Sequence, residues 1–483
     1  MQYTMLDVKM QECKQYMKKI KLNFDEFIIN KKVYCYGGGN VFKDFICTYP
    51  NIKVCAVVDK NAKSDKYLSG LSGEKIPIIS IESFIADKNN DYVLILTCFD
   101  YQEVENELSG YVELSDVPYC VYCQMKVENA LDDVQSTDKY QITEFRLQDF
   151  NAGHKAPLDV ATVASHNGYR VLPVIRGTVK NGTEQTKSEW NKVCNEISNN
   201  STVLIQFPLA DVSKGIYKLI EQKKEKNIKV IAVVHDIEIL RRTVTDNFIE
   251  QYNMLKICAD IWIVHNERMK KLLIAQDFDS ERMVSLGIFD YLIDNPLDVK
   301  LDEGIIIAGN LDIDKSEYIY KLKQIKNVKF NLFGANYSDN DDYENINYYG
   351  AFLPDELIKN LQGKYGLVWD GDSLDTCSGL TGEYLKVNNP HKLSLYLAVG
   401  LPVIIWSEAA EAEFVRKNNV GLTISSLYEL PVKLAAISES DYEIMKNNAM
   451  AVGKHLRRGE YMMKAINKAE KIIQEIRNNE SIQ

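Results

Sequence analysis

Residues 388 to 393 read Asn-Asn-Pro-His-Lys-Leu, an order that builds a helix end able to hold an anion. Asn389 is a good N-cap and Pro390 suits the first helical position. Leu393, Tyr396 and Leu397 give one apolar face before Gly400 ends the helix and Pro402 blocks its continuation. The first N–H groups of such a helix have no intrahelical acceptor, and with the helix dipole they favour negative charge in front of His391 and Lys392. Lys392 adds a full positive charge there. A second strand and loop, GIIIAGNLDIDKSEYIYKL, turns at Gly309 and Asn310 and starts a helix near Lys315 and Ser316. That pattern fits a phosphate site and a plainly capped helix equally well.

Proton transfer needs a different kind of group. VIAVVHD ends a strand with His235 and Asp236, a pair that can supply a general base for a hydroxyl. The bland alternative has Asp236 capping the next helix and His235 packed as a polar residue. DFNAGHKAPLDVAT places a turn at Asn151 to Gly153 ahead of a helix. His154, His166 and His265 are weaker candidates alone, and KHLRRG at 454 to 459 reads as a solvated helix face. GLVWDGDSLDTCSG sets Trp369, Asp370 and Gly371 at the end of a strand. Asp370 with Asp372, and Asp312 with Asp314, have Asp-x-Asp spacing, but solvated loops are the better default in an acidic chain. Cys120 and Cys123 lack a second pair to complete a zinc site.

A third stretch, KKVYCYGGGNVF, follows a short apolar run with Gly37, Gly38 and Gly39, and Asp59 ends VCAVVD about 20 positions on, where a dinucleotide fold holds ribose. The third glycine of that fingerprint is replaced by Phe42, whose ring obstructs close helix–strand packing, and residues 1 to 130 contain no histidine. The loop is therefore a candidate ligand loop of an appended module rather than the signature of a complete oxidoreductase.

These positions need strands that end in loops, and the apolar pattern supplies them three times over. Residues 32 to 125 alternate VYCY, a helix over NVFKDFICTY, IKVCAVVD, IPIIS and DYVLILTCF. After a polar linker at 132 to 141 the alternation restarts with YRVLPVI, STVLIQFP, IKVIAVVHD and ADIWIVHN. It restarts again near residue 304 with GIIIAGN, VKFNLFG, INYYG, YGLVWDG and LPVIIW, and residues 440 to 479 form an amphipathic helical tail. A chain of 483 residues suits about three domains at ~150 residues each. With 46% hydrophobic and 26% charged residues it is globular. Its 57 basic against 68 acidic residues leave a net charge of −11, which disfavours a general grip on nucleic acid. No run approaches the ~20 apolar residues of a membrane span, and no signal peptide is evident, so a cytoplasmic protein with reduced cysteines is expected.

From about residue 140 to 479 the chain resembles the GT-B glycosyltransferases called β-1,6-galactofuranosyltransferases, a group that includes the glucosyltransferases of streptococcal serine-rich adhesins. The resemblance rests on NAGHKAPLDVA, VIAVVHD, ADIWIVHN, IIIAGNL with DKSEYIYKL, GLVWDGDSLDTCSG and NNPHKLSLYLAVGLPVI. It implies an α/β protein of GT-B architecture, two facing Rossmann-like domains, preceded here by a small Rossmann-like parallel-sheet domain. The boundaries it implies are an accessory domain at 1–131, an acceptor domain at 141–300, a donor domain at 301–450, and a C-terminal helix at 451–483 packing back on the acceptor domain. It implies transfer of galactofuranose or glucose from a UDP-sugar to a lipid-linked or protein-linked glycan in surface polysaccharide or glycoprotein synthesis, with no cofactor and no metal. Gly309, Asn310 and Lys315 would contact the diphosphate, and Trp369, Asp370 and Gly371 would border the nucleotide and sugar. Asn389, His391 and Lys392 would hold phosphate and ribose. Leu395 stands where many relatives carry a ribose-binding glutamate. Asp236, beside His235, is the first choice of base, with His154 and Asp159 as alternatives. Peripheral membrane association and a homo-oligomer stay open, as do two other readings: a nicotinamide-dependent sugar-modifying enzyme, and a non-catalytic glycan- or partner-binding subunit.

Overall fold

The computed structural model describes residues 24, 28, 30–60, 62, 66–71, 73–87, 92–98, 100–114, 117–126, 137–145, 155–175, 184–209, 212–293, 304–339, 341–352 and 354–480. The chain divides into two compact units, residues 1–136 with 143–148 and 171–196, and residues 137–142 with 149–170 and 197–483.

In the first unit, β1 (Lys32–Tyr36), β2 (Val54–Val58), β3 (Tyr67–Ser69), β4 (Lys75–Ile79), β5 (Tyr92–Leu96) and β6 (Tyr119–Val121) form one sheet in the order β3-β4-β2-β1-β5-β6. All recorded pairings are parallel except β3 with β4. Parallel strands covered by helices on both faces must be apolar throughout, and YVLIL of β5 is buried at every position. Helix α1 (Asn40–Thr48) leaves the glycine loop and buries Val41, Phe42, Phe45 and Ile46 in this core. The three-residue strands β3 and β6 escape the sequence reading because they are too short to show a period.

A second sheet contains β7 (Lys139–Phe145), β8 (Arg170–Ile175), β9 (Thr202–Phe207), β10 (Lys229–Val234), β11 (Ile261–Val264) and β12 (Met283–Ser285), in the order β12-β11-β10-β9-β7-β8. The proposed linker at 132–141 thus overlaps a strand, since β7 begins at Lys139, while residues 132–136 lie outside the described residues. The polar Gln141 hides the strand's apolar pattern; it is fully buried, and its amide donates to the Ala161 carbonyl (2.9 Å) and the Ser165 hydroxyl (2.8 Å). A third sheet contains β13 (Ile305–Ala308), β14 (Phe330–Phe333), β15 (Ile346–Tyr348), β16 (Tyr365–Val368), β17 (Val403–Trp406) and β18 (Gly421–Ile424), ordered β15-β14-β13-β16-β17-β18 and parallel throughout.

The helices that matter for the site are α2 (Lys155–His166), α3 (Glu238–Arg241), α4 (Gly379–Tyr384), α5 (His391–Ala398), α6 (Glu439–Leu456) and α7 (Glu460–Glu480). The amphipathic tail is broken at Gly459, whose φ of +71° is the left-handed conformation glycine adopts without strain. Before the break, Met445, Ala449 and Val452 of α6 pack into the core of the third sheet. After it, Met462, Ala465, Ile466, Ala469 and Ile473 of α7 pack with Val160, Leu204 and Ile231 of the second. The crossings are joined: Asp290, just past β12, accepts from the N–H groups of Tyr461 (3.3 Å) and Met462 (2.6 Å), and the Tyr291 N–H donates to the Leu456 carbonyl (3.3 Å). Two parallel α/β halves with a final helix returning from one to the other form the GT-B architecture. Among the described residues, no helix is long and apolar enough to cross a membrane.

Candidate functional site

Strand β10 ends at Val234 and places Asp236 where a parallel sheet presents ligands, beyond its carboxyl edge. The chain then turns into α3, whose start is flanked by Ile237 without a side-chain cap, so Asp236 is not spent on capping. The short helix brings Arg241 back onto the acids before it: Nη2 lies 3.2 Å from Asp236 Oδ2 and 2.6 Å from Glu238 Oε1, and Nε donates to Glu238 Oε2 at 3.0 Å. Burial pushes the pKa of Asp236 up to about 6; Arg241 opposes the shift, Glu238 adds to it, and Lys315 and Arg242 oppose it less strongly. Because 28% of the side chain still meets solvent, Asp236 is surrounded by protein yet reachable, as a base must be. His235 is held apart from this role. Its Nε2 faces Gln206 Oε1 at 2.7 Å and its ring stacks on Phe289, with centroids 5.4 Å apart.

The third sheet supplies the cations. Gly309 follows β13 with φ +141°, and a Cβ there would lie 3.3 Å from Lys392 Cε, so glycine lets the lysine stem lie over the turn. Lys392 donates to Asp370 Oδ1 (2.8 Å) and the Trp369 carbonyl (3.3 Å). Lys315 belongs to the helical turn Ile313–Ser316, capped by Asp312, which accepts from the Asp314 N–H at 2.9 Å. Among the described residues Lys315 makes no ion pair. Burial depresses its pKa below the ordinary lysine value. The charges acting on it are, in order of weight, Asp370, Lys392, Arg241 and Asp236, two attracting and two repelling. Residues from both halves therefore meet at one place, with Lys315, Lys392 and Arg241 set among Asp236, Glu238 and Asp370. Tyr384 of α4 seals it by accepting from the Ile237 N–H at 3.0 Å.

Several expectations are corrected. Asn389 does not cap α5, which is preceded by Pro390 with no side-chain cap. The Asn389 side chain is instead saturated, donating to the carbonyls of His265 (2.7 Å) and Gly287 (3.0 Å) and accepting from Asn266 Nδ2 (2.7 Å). Trp369 is fully buried with its indole N–H on the Ser373 carbonyl, so only its backbone oxygen joins the site. Asp159, an alternative base, is consumed by Lys155 (2.5 Å) and the Leu292 N–H (3.0 Å). His391 donates from Nε2 to the Asp290 carbonyl (3.1 Å) and packs on Tyr291; burial pushes its pKa down to about 4, so it is a neutral ring at the first position of α5 rather than a cation. Asn310 holds its own turn, accepting from the Asp312 N–H (3.2 Å) and Asn336 (2.9 Å). Gly371, at φ +106°, lets its chain pass Ser378, whose carbonyl a Cβ would strike. His154 lies outside the described residues.

In the first unit, packing and geometry account for two of the three glycines. Gly37 (φ +93°) lies against Thr97, whose hydroxyl donates to the Gly37 carbonyl at 2.7 Å. A Cβ on Gly38 would stand 2.7 Å from Leu68 Cδ1, whereas Gly39 opens α1 with nothing within reach. Asp59 donates its N–H to the Ile79 carbonyl (3.0 Å), and Phe42 is a core residue.

The sequence reading overlooked Arg241, Glu238, Tyr384 and Asn266. HDIEILRR carried a signal for the first two, a basic pair within a turn and a half of the strand-end acid. Tyr384 and Asn266 act only across long sequence distances.

Two family models match: the glucosyltransferase 3-like N-terminal domain over residues 139–288 and the glucosyltransferase 3-like C-terminal domain over 305–469. The β-1,6-galactofuranosyltransferase WbbI of Escherichia coli K12 is 30% identical over 330 residues, 67% of this chain and 95% of that protein. Glucosyltransferase 3 of Streptococcus parasanguinis is 24% identical over 308 residues, 62% of this chain and 88% of its own. Among solved structures, Anabaena HepE in complex with UDP aligns over 71% of this chain and 100% of its own at 12% identity, with a TM-score of 0.45.

Proposed function

From a chain that belongs to the glucosyltransferase 3-like family of glycosyltransferases, we infer an enzyme that moves a hexosyl unit, galactofuranose or glucose, from a UDP-sugar to a hydroxyl of a glycan acceptor. The observation that carries this reading is Lys315, which makes no ion pair among the described residues and feels the repulsion of Lys392 and Arg241 along with the attraction of Asp370 and Asp236. Cations held together in dense protein repel one another, and a diphosphate laid between them removes that repulsion. The relatives supply the sugar classes by name, and HepE is a UDP-bound structure.

The residues then divide the work. The diphosphate lies against Lys315 and Lys392, with the N-terminus of α5 behind it, so the sugar points across the cleft toward Asp236. The acceptor oxygen forms the new bond to the anomeric carbon as the bond from that carbon to the β-phosphate oxygen breaks. The acceptor proton passes to the Asp236 carboxylate, and the negative charge of departing UDP is met by the two lysines. Fixed ammonium groups do here what a divalent ion does elsewhere, so transfer proceeds without metal. The acceptor is a lipid-linked or protein-linked glycan.

The test is a panel of UDP-sugars scored for thermal stabilisation and for hydrolysis, with and without EDTA. Saturation at 100 times Kd should stabilise the folded state by ~2.7 kcal/mol, and EDTA should change nothing. If no UDP compound raises the melting temperature, the donor site is wrongly placed. Loss of turnover in EDTA would return the Asp-x-Asp loops to consideration.

A further inference from the structure

The phosphate helix α5 is oriented by the opposite half of the enzyme. Four hydrogen bonds converge on Asn389, two residues before the helix begins. Its N–H donates to His265 Nδ1 (2.7 Å), its amide nitrogen donates to the carbonyls of His265 (2.7 Å) and Gly287 (3.0 Å), and its amide oxygen accepts from Asn266 Nδ2 (2.7 Å). Asn266 also donates to the Val387 carbonyl (2.9 Å). Asn389 is 4% exposed and His265 1%, so water cannot substitute for a lost partner. Only a side chain with two donors and an acceptor in one plane satisfies this set, which singles out asparagine here.

His265 extends the connection. Its Nδ1 accepts, so the ring is neutral with its proton on Nε2, and burial holds its pKa near 4. That second nitrogen is buried and has no hydrogen-bond partner among the described residues, with the backbone of Val234 and His235, at the strand end that carries Asp236, nearby.

We propose that His265, Asn266 and Asn389 are positioning residues for donor binding, a polar staple that sets the N-terminus of α5, and with it Lys392, relative to Asp236. The proposal rests on the donor-site reading above. None of the three touches the donor; each acts through the placement of Lys392. A merely structural staple would alter melting temperature alone, whereas a positioning staple alters donor affinity in protein that is still folded.

The experiment measures UDP affinity by calorimetry, donor KM and kcat on the full chain carrying Asn389→Asp, Asn266→Ala, His265→Leu or His265→Asn. Asn389→Asp keeps the shape but turns an oxygen toward two carbonyl oxygens. It should weaken UDP binding and raise donor KM tenfold or more, with acceptor KM unchanged. Asn266→Ala, which removes the partly exposed amide that donates to Asn389 and Val387 and also caps the helix starting at Glu267, serves if the buried variants fail to fold and should weaken UDP binding about threefold to tenfold. His265→Asn, which returns an acceptor near the Nδ1 position, should recover much of what His265→Leu loses. If wild type binds UDP and the folded variants bind it equally well, the staple is structural only and the proposal falls. If wild type does not bind UDP, the donor-site reading has failed first.

Discussion

Two loops of this chain share one backbone device and differ in what surrounds it. Each follows a strand of a parallel sheet with a glycine at positive φ, Gly37 after β1 and Gly309 after β13. At Gly309 the space left by the missing side chain is taken by the stem of Lys392, and two more cations stand nearby. At Gly37 and Gly38 it is taken by Thr97 and Leu68, and the charges acting on neighbouring Tyr36 and Cys98 come from Glu107, Asp59, Asp100 and Glu105, all acidic. Lys60 is itself engaged by Glu107 at 3.7 Å. Glycine permits a close approach; the charge around it decides whether the approaching group is an anion or the protein itself.

Three substitutions sharpen or break that contrast. The largest effect is expected on the catalytic side, where Asp236→Asn should lower kcat by about 10²–10⁴ while UDP still binds. Because the base must be ionised and burial raises its pKa to about 6, wild-type kcat/KM should fall as pH drops through 6. A flat profile from pH 5 to 7 would assign the proton to another group. Next, Lys315→Ala should weaken UDP binding by about 10–100-fold. It should not lower the melting temperature of the unliganded protein, since burial disfavours this ammonium more than any neighbouring charge acts on it, and Lys392 and Arg241 repel it against the attraction of Asp370 and Asp236. A clear drop in that melting temperature would show that Lys315 stabilises the fold and would remove the argument for an anion. Smallest at the active site is Gly37→Ala, which should destabilise the first unit by about 1–3 kcal/mol through left-handed strain and crowding of Thr97, yet leave transfer unaltered. Loss of transfer at full folding would give that loop a role in catalysis.

The sequence made the strands legible because helix-covered parallel sheets require continuous apolar runs, and those end where ligands bind. The helix carrying Lys392 was legible because Pro390 before it and Gly400 after it mark its ends within one short stretch of sequence. Asn389 was misread for the complementary reason. Its neighbours recommend a cap, but its hydrogen bonds go to residues more than a hundred positions away. Arg241 was passed over because a charge on a short helix looks like solvated surface until the fold sets it against Asp236 and Glu238. β7 was hidden by a buried glutamine whose partners lie on a helix not adjacent in sequence.

The chain passes between the two halves of the transferase twice, after β12 and again at Gly459, and the crossings are bonded together through Asp290 and Tyr291. Two bodies joined at a pair of neighbouring pins can swing like a door, but they cannot slide or twist freely. Phe289 and Asp290 belong to one of those pins and bond directly to Ser394 (2.7 Å) and His391 (3.1 Å) of the phosphate helix. Helix α5 is thus held at the door post, where a swing displaces it least.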